Sequence, residues 1–398
     1  MKILLVCEGL NKQTIRVQPW KHVFEIAKGL KRKNHDVCIL TDRNFLSDHT
    51  ETIEDIPVQT VKKGKFLFKA NELSSFLSGF DVIYWNSTGS FSALNFVRLK
   101  NLHQPFVWAL HGSILGMQDI HSLRITDIPL LWHCWNNIFY SLNSAPIIKK
   151  TINLPCVRAL IVPSKRLKTR LTRMGIDHQI IHVVYSGVDT ITFSPKSDMH
   201  VVDLKIKLGF KLDEKLILYY GPLNSFRGAD VLAKAIPKIS SAFSDVHFVF
   251  LGRRAEMDYK SKMLRKSLLK HKNVHLIEGF LNQNMLLEYL YTADMVVLPF
   301  RFWPYVECPL TILETMALGK PLITTNVNAI PEIVQTGVNG LVVKPKAEQI
   351  VKAIIYLLQN IDVATRLGKK AREFVEKYYS WNSIVSKTAD ILNKVVTS

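Results

Sequence analysis

The segment from Tyr305 to Glu332, YVECPLTILETMALGKPLITTNVNAIPE, carries the densest chemistry in the chain. Its apolar spacing predicts a helix over Thr311–Leu318, with Glu307, Cys308, Pro309 and Leu310 leading into it. A helix N-terminus presents backbone N–H groups and a partial positive charge, which suits a diphosphate. Glu314 stands among Leu310, Ile312, Leu313 and Met316, so it is not simply a solvated acid. Its carboxylate could accept hydrogen bonds from ribose hydroxyls. Gly319-Lys320-Pro321 then ends the helix, as a C-terminal glycine does.

A second constellation is Gly221-Pro222-Leu223-Asn224-Ser225-Phe226-Arg227-Gly228, set between an apolar run and a helical pattern. Gly221 permits close backbone approach, and the Arg227 guanidinium can meet a phosphate with two hydrogen bonds. Nearer the N-terminus, the apolar run Phe106–Leu110 delivers His111-Gly112-Ser113 into a loop. The loop Gly9–Trp20 also follows an apolar run, and Arg16 within it could add positive charge at a diphosphate.

These groups need elements to hold them. Ile3–Cys7 and Asp36–Thr41 read as strands buried on both faces, with a helical pattern over Val23–Leu30 between them. Further strand signals are Asp81–Trp85, Phe106–Leu110, Ala159–Val162 and Ile181–Tyr185. After a polar stretch, Ser194–Asp198, the alternation restarts: Leu216–Tyr220, Val246–Leu251, Val274–Ile277, Met295–Leu298, Pro321–Thr324 and Leu341–Val343. The expected fold class is therefore α/β, with two Rossmann-like, doubly wound parallel-sheet domains over 1–195 and 196–380. In such sheets ligands lie beyond the carboxyl ends of the strands, which is where the groups above fall.

At 398 residues the chain suits two domains rather than one core. With 52 Lys and Arg against 33 Asp and Glu, it is strongly basic in both halves, so polyanions and anionic surfaces are candidate partners. No recognised nucleic-acid motif appears, and none is expected to bind. The five cysteines, Cys7, Cys38, Cys134, Cys156 and Cys308, are scattered without a C-x-x-C pair, which favours a reducing, cytoplasmic setting. Neither a secretory signal nor a membrane span is expected. No metal and no other cofactor is expected.

LETMALGKPLITTNVNAIPEIVQTGVNGLVV (Leu313–Val343), RALIVPSKRLKTRLTRMGIDHQIIHVVYSGVDTITFSP (Arg158–Pro195), YYGPLNSFRGADVLAKAI (Tyr219–Ile236) and YTADMVVLP (Tyr291–Pro299) together resemble glycosyltransferase family 4. The resemblance covers nearly the whole chain. It implies the GT-B fold, two Rossmann-like domains facing an interdomain cleft, with the last helix, about 381–398, crossing back to the first. It also implies retaining transfer of a sugar from a UDP- or GDP-linked donor to a hydroxyl acceptor, in glycan or glycolipid assembly.

By resemblance Glu314 binds the donor ribose, Arg227 and Gly221 hold the diphosphate, and His111 reaches the donor sugar or its phosphate. Cys308, Pro309, Leu310 and Thr311 supply backbone amides before Glu314. Ser186-Gly187-Val188-Asp189 reads as a structural turn at the domain boundary. The family usually has two glutamates with seven residues between them, which puts Val306 at the first position and Glu307 one residue late. By resemblance Glu307 is still expected to bring its carboxylate to the transferred sugar's hydroxyls and to be catalytic together with His111. Pro222 stands where an arginine is usual. A catalytically impaired relative that binds only a nucleotide or a partner therefore stays open, as does an epimerase or phosphorylase on the same fold.

The acceptor is least legible. Val61–Lys69, VKKGKFLFK, interleaves lysines with aromatics, and Ile128–Ile148 has no charged residue and many aromatic ones. Lys165–Arg173 adds a basic helix. Basic and aromatic groups together suit peripheral attachment to an anionic membrane and a lipid-linked acceptor. A buried packing helix over 128–148 remains the alternative.

Overall fold

The computed structural model describes residues 1–43, 49–62, 76–87, 103–112, 114, 144–252, 259–279, 282–301 and 307–397. The chain divides into two compact units. Unit 1 is Met1–Gly187, Pro304–Glu307 and Trp381–Ser398; unit 2 is Val188–Trp303 and Cys308–Ser380.

Unit 1 contains β1 (Lys2–Cys7), β2 (Asp36–Arg43), β3 (His49–Ile53), β4 (Ile56–Lys62), β5 (Val82–Ser87), β6 (Phe106–Leu110), β7 (Val157–Val162) and β8 (Ile181–Val183). They form one sheet in the order β3-β4-β2-β1-β5-β6-β7-β8. Every pairing is parallel except β3 with β4. Helices α1 (Trp20–Arg32), α2 (Ser144–Ile152), α3 (Lys165–Arg173) and the C-terminal helix (Trp381–Thr397) complete its described part. Alternate residues of β1 feed two cores. Ile3, Leu5 and Cys7 meet α1 and the C-terminal helix, while Leu4 and Val6 join Ile148, Leu167 and Leu171 on the other face. Both faces are buried, which is why these strands read as unbroken apolar runs. Gly29 lets α1 approach the C-terminal helix closely, since a Cβ there would lie 2.2 Å from Val385 Cγ2.

Unit 2 holds β9 (Lys215–Tyr220), β10 (Val246–Gly252), β11 (Val274–Glu278), β12 (Met295–Leu298), β13 (Leu322–Thr325) and β14 (Leu341–Val343). Its helices are α4 (Asp198–Lys207), α5 (Ala229–Ala242), α6 (Tyr259–Leu268), α7 (Gln283–Thr292), α8 (Leu310–Ala317), α9 (Ile330–Ile333), α10 (Ala347–Gln359) and α11 (Ile361–Tyr378). The sheet is wholly parallel in the order β11-β10-β9-β12-β13-β14. Counted from β9 this is 3-2-1-4-5-6, so the winding reverses between β9 and β12. That reversal opens a crevice at the carboxyl ends of these two strands, where ligands of doubly wound sheets bind.

One pair of strands is absent from the sequence reading. β3 and β4 form an antiparallel edge hairpin whose turn, Glu54-Asp55, has φ of 44° and 65°. Its β3 alternates exposed and part-buried residues, and β4 contains Pro57, so neither looks like a buried run. The turn Ser186–Asp189 straddles the division between the units. There Asp189 accepts hydrogen bonds from the Ile191 and Thr192 amides and the Thr192 hydroxyl.

Candidate active site

In unit 2 the crevice is built from both of its walls. β9 ends at Tyr220 and turns through Gly221, whose φ is +135°. The following loop is pinned by the Arg227 amide, which donates to Asn224 Oδ1 at 2.9 Å. It closes on Gly228, at φ +76°, packed so tightly that a Cβ would sit 1.7 Å from the carbonyl oxygen of Pro299. Only glycine fits there, and the packing brings the loop against the end of β12. The Arg227 guanidinium lies over the Phe300 ring, 5.1 Å from its centroid, a cation–π contact that holds the cation in place.

The other wall is α8. Pro309 precedes it with extended backbone, and Ile312, Leu313, Thr315, Met316 and Ala317 are buried. Leu310, Thr311 and Glu314 are only part-buried, and their spacing puts them on one face. The helix ends as its glycine foretells: the Gly319 amide donates to Met316 O and the Lys320 amide to Thr315 O, with Gly319 at φ +67°.

Tyr220 joins the two walls. Its hydroxyl donates to Thr311 O at 2.7 Å, and stands 3.4 Å from Glu314 Oε2 and 3.3 Å from Thr315 Oγ1. Burial, then the Glu314 charge, push the phenol well above its ordinary range, so it keeps its proton; Arg227 is close enough to oppose that shift. Arg227, Glu314 and the start of α8 therefore share one neighbourhood. The sequence reading treated Tyr220 as one more apolar strand residue, which its ring is.

Glu307 is placed differently from Glu314. Its carboxylate is 1% exposed and lies in unit 1, 2.9 and 3.2 Å from Arg166 Nη1 and 3.2 Å from Ser164 Oγ. Ser164 caps α3, accepting from the Leu167 amide, so this acid sits at a helix N-terminus that favours negative charge. A sugar reaching Glu307 would compete with that buried ion pair. Cys308, the next residue, is part-buried in unit 2.

His111 sits at the end of β6 in unit 1, 7% exposed, with its amide bonded to Ser87 O. Its Nε2 is 3.3 Å from the Tyr84 hydroxyl, and its ring is 4.0 Å from that of His22 on α1. Burial lowers the His111 pKa from 6.5 to about 4, so the ring is neutral near pH 7. His22 is fully buried, and its pKa too lies well below 6.5, lowered by burial and then by His111. In the sequence His22 stands just before the helical pattern Val23–Leu30, and no motif marks it.

The Arg16 side chain, Ser113, Val306 and most of 61–69 and 128–148 lie outside the described residues. Two histidine pairs have i,i+4 spacing, His178 with His182 and His271 with His275, but each runs from a turn into a strand and shares no helix face. Among the described residues no group of three His, Cys, Asp or Glu side chains could hold a metal, and no helix is long and apolar enough to cross a membrane.

Comparison with known proteins bears on the family and the fold. Residues 20–191 match the family model described as Glycosyltransferase Family 4, and residues 203–374 match Glycosyl transferases group 1. An uncharacterized glycosyltransferase of Methanocaldococcus jannaschii is 24% identical over 380 residues, covering 93% of this chain and 92% of the relative. A glycogen synthase of Mycobacterium tuberculosis is 26% identical over 393 residues, covering 93% and 89%. The crystal structure of Anabaena HepE in complex with UDP-glucose aligns with a TM-score of 0.71 at 17% identity, over 99% of this chain and all of that one. At that identity the structural likeness concerns the fold.

Two parallel α/β units with these likenesses define a glycosyltransferase of the GT-B fold. The two family models between them span most of the sequence, and the chain belongs to glycosyltransferase family 4.

Proposed function

We propose that this glycosyltransferase takes its sugar from a nucleoside diphosphate donor, UDP- or GDP-linked, and transfers it with retention to a hydroxyl acceptor. The observation that carries this reading is the joining of the Gly221–Gly228 loop to α8 through Tyr220, which gathers Arg227 and Glu314 at the winding reversal of unit 2. In this reading Glu314 accepts hydrogen bonds from the ribose hydroxyls. Arg227, Gly221 and the backbone of Cys308, Pro309, Leu310 and Thr311 meet the diphosphate, with Arg16 as a further cation. As the glycosidic bond breaks, negative charge grows on the leaving phosphate, and fixed donors aimed at it lower the barrier. Removing one such donor typically costs ~10²–10³ in kcat. His111, neutral at working pH, would hydrogen-bond to the donor sugar. No metal is assigned a role.

The acceptor in this reading is lipid-linked and met at an anionic membrane surface from the cytoplasmic side. The excess of basic residues, including the acid-free helix α3, supports that choice.

A second reading has one observation in its favour. Glu307 is committed to Arg166 and Ser164, so a relative that binds nucleotide without transferring sugar would need no change in that pair. Transfer assays separate the two. The wild type, supplied with a panel of nucleotide sugars and with lipid-linked acceptors in vesicles or soluble ones, is expected to form product. Glu314→Ala and Arg227→Ala are expected to lose ~100-fold or more. Full activity in both variants would overturn the site assignment, and no product from any pair would favour the binding-only relative.

A further inference from the structure

We infer that Tyr220 is a positioning residue for donor binding, one that holds the Glu314 carboxylate in register with the ribose. The inference rests on the reading that Glu314 binds the ribose, and goes beyond it by assigning the group that fixes Glu314. Three contacts carry it. The Tyr220 hydroxyl donates to Thr311 O at 2.7 Å, approaches Glu314 Oε2 to 3.4 Å and meets Thr315 Oγ1 at 3.3 Å. Thr311 and Glu314 lie three residues apart on the same face of α8, so a single hydroxyl touches both the first turn and the acid one turn later.

The hydroxyl has one proton and two carbonyl-type acceptors within reach. At rest the shorter contact, Thr311 O, has the better claim on it. The oxygen then stands behind Glu314 Oε2 and limits where the carboxylate can swing. Glutamate has three rotatable bonds, and fixing them before the nucleotide arrives removes an entropy cost from binding. The anchor itself is rigid: Tyr220 is 5% exposed and its strand pairs with β10 along its length. The residue that follows it is Gly221, so the same strand end places the diphosphate loop and the ribose acid together. A ribose is remote from the anomeric carbon, so loss of this restraint should appear as uniform binding energy, in donor KM rather than in kcat.

The test uses Tyr220→Phe, which keeps the ring in the sheet core and removes only the oxygen. Binding of UDP and GDP, and of their 2′-deoxy and 3′-deoxy analogues, is measured by calorimetry on the full chain, with thermal unfolding as a check on folding. The wild type is expected to bind one ribonucleotide on the order of tenfold more tightly than at least one of its deoxy analogues, since a carboxylate left without its hydroxyl partner is penalised. In Y220F that ratio is expected to fall toward one, and Glu314→Gln added to Y220F should cost less than it does alone, the signature of coupled residues. A folded Y220F that still discriminates against the deoxy analogues as the wild type does would overturn the inference while leaving Glu314 on the ribose. A wild type that binds ribo and deoxy forms equally would remove both together. A merely structural role would weaken all the nucleotides alike and leave the ratio unchanged, which also counts against it.

Discussion

At the scale of single residues, burial keeps two groups neutral. Tyr220 keeps its proton because burial and the Glu314 carboxylate both oppose its loss. His111 loses its proton early because burial disfavours the cation, with a pKa near 4 against an ordinary 6.5. The stability consequence has a definite sign. As pH falls below 6.5 the unfolded chain takes up this proton before the folded one does, so stability conferred by neutral His111 is full above 6.5 and drains away as pH approaches 4. His111→Asn is therefore expected to flatten the dependence of the urea midpoint on pH between about 4 and 6.5. An unchanged slope would mean that His111 is exposed enough to titrate normally. His22, its ring tilted against that of His111 at 4.0 Å, contributes in the same direction, and removing His111 relieves part of its shift, which flattens the slope further.

Elements explain why some of this was legible in the sequence and some was not. The strands of unit 2 are short buried runs such as β9, β10 and β12, and their apolar residues mark them directly. The loop after β9 and the helix α8 could be recognised because glycine, arginine and glutamate stand at positions where apolar residues would otherwise be expected. The β3–β4 hairpin was not legible, because an exposed edge does not require an apolar run. The partner of Glu307 was hidden for a different reason: Arg166 lies 141 residues away, and only the fold brings α3 to it. The contacts of Tyr220 were hidden because they are made by one oxygen on an otherwise apolar ring. Packing of the loop gives a prediction at this scale. Gly228→Ala puts a methyl group against the Pro299 carbonyl in a backbone conformation that L residues avoid. Destabilisation of about 2–4 kcal/mol in urea unfolding is expected, or loss of soluble protein. A neutral substitution would show that the loop does not pack on the end of β12 as described.

At the scale of the molecule, the chain forms two α/β units: unit 2 has the strand order of dinucleotide-binding sheets, and unit 1 extends the same plan by one strand at each edge, β3 and β8. His111 and the Arg166–Glu307 pair lie in unit 1, and Arg227, Tyr220 and Glu314 lie in unit 2. The C-terminal helix leaves unit 2 after Ser380 and packs on α1 of unit 1, so unit 1 is completed by chain that has already run through unit 2. The proposed function puts a nucleoside diphosphate at the end of β9. The direct measurement is a crystal structure of the protein with bound UDP or GDP. The ribose hydroxyls are expected within about 3.2 Å of the Glu314 carboxylate and the diphosphate oxygens within the same reach of the Arg227 guanidinium. A nucleotide bound elsewhere, or bound here with its ribose turned away from Glu314 and its phosphates away from Arg227, would contradict the account.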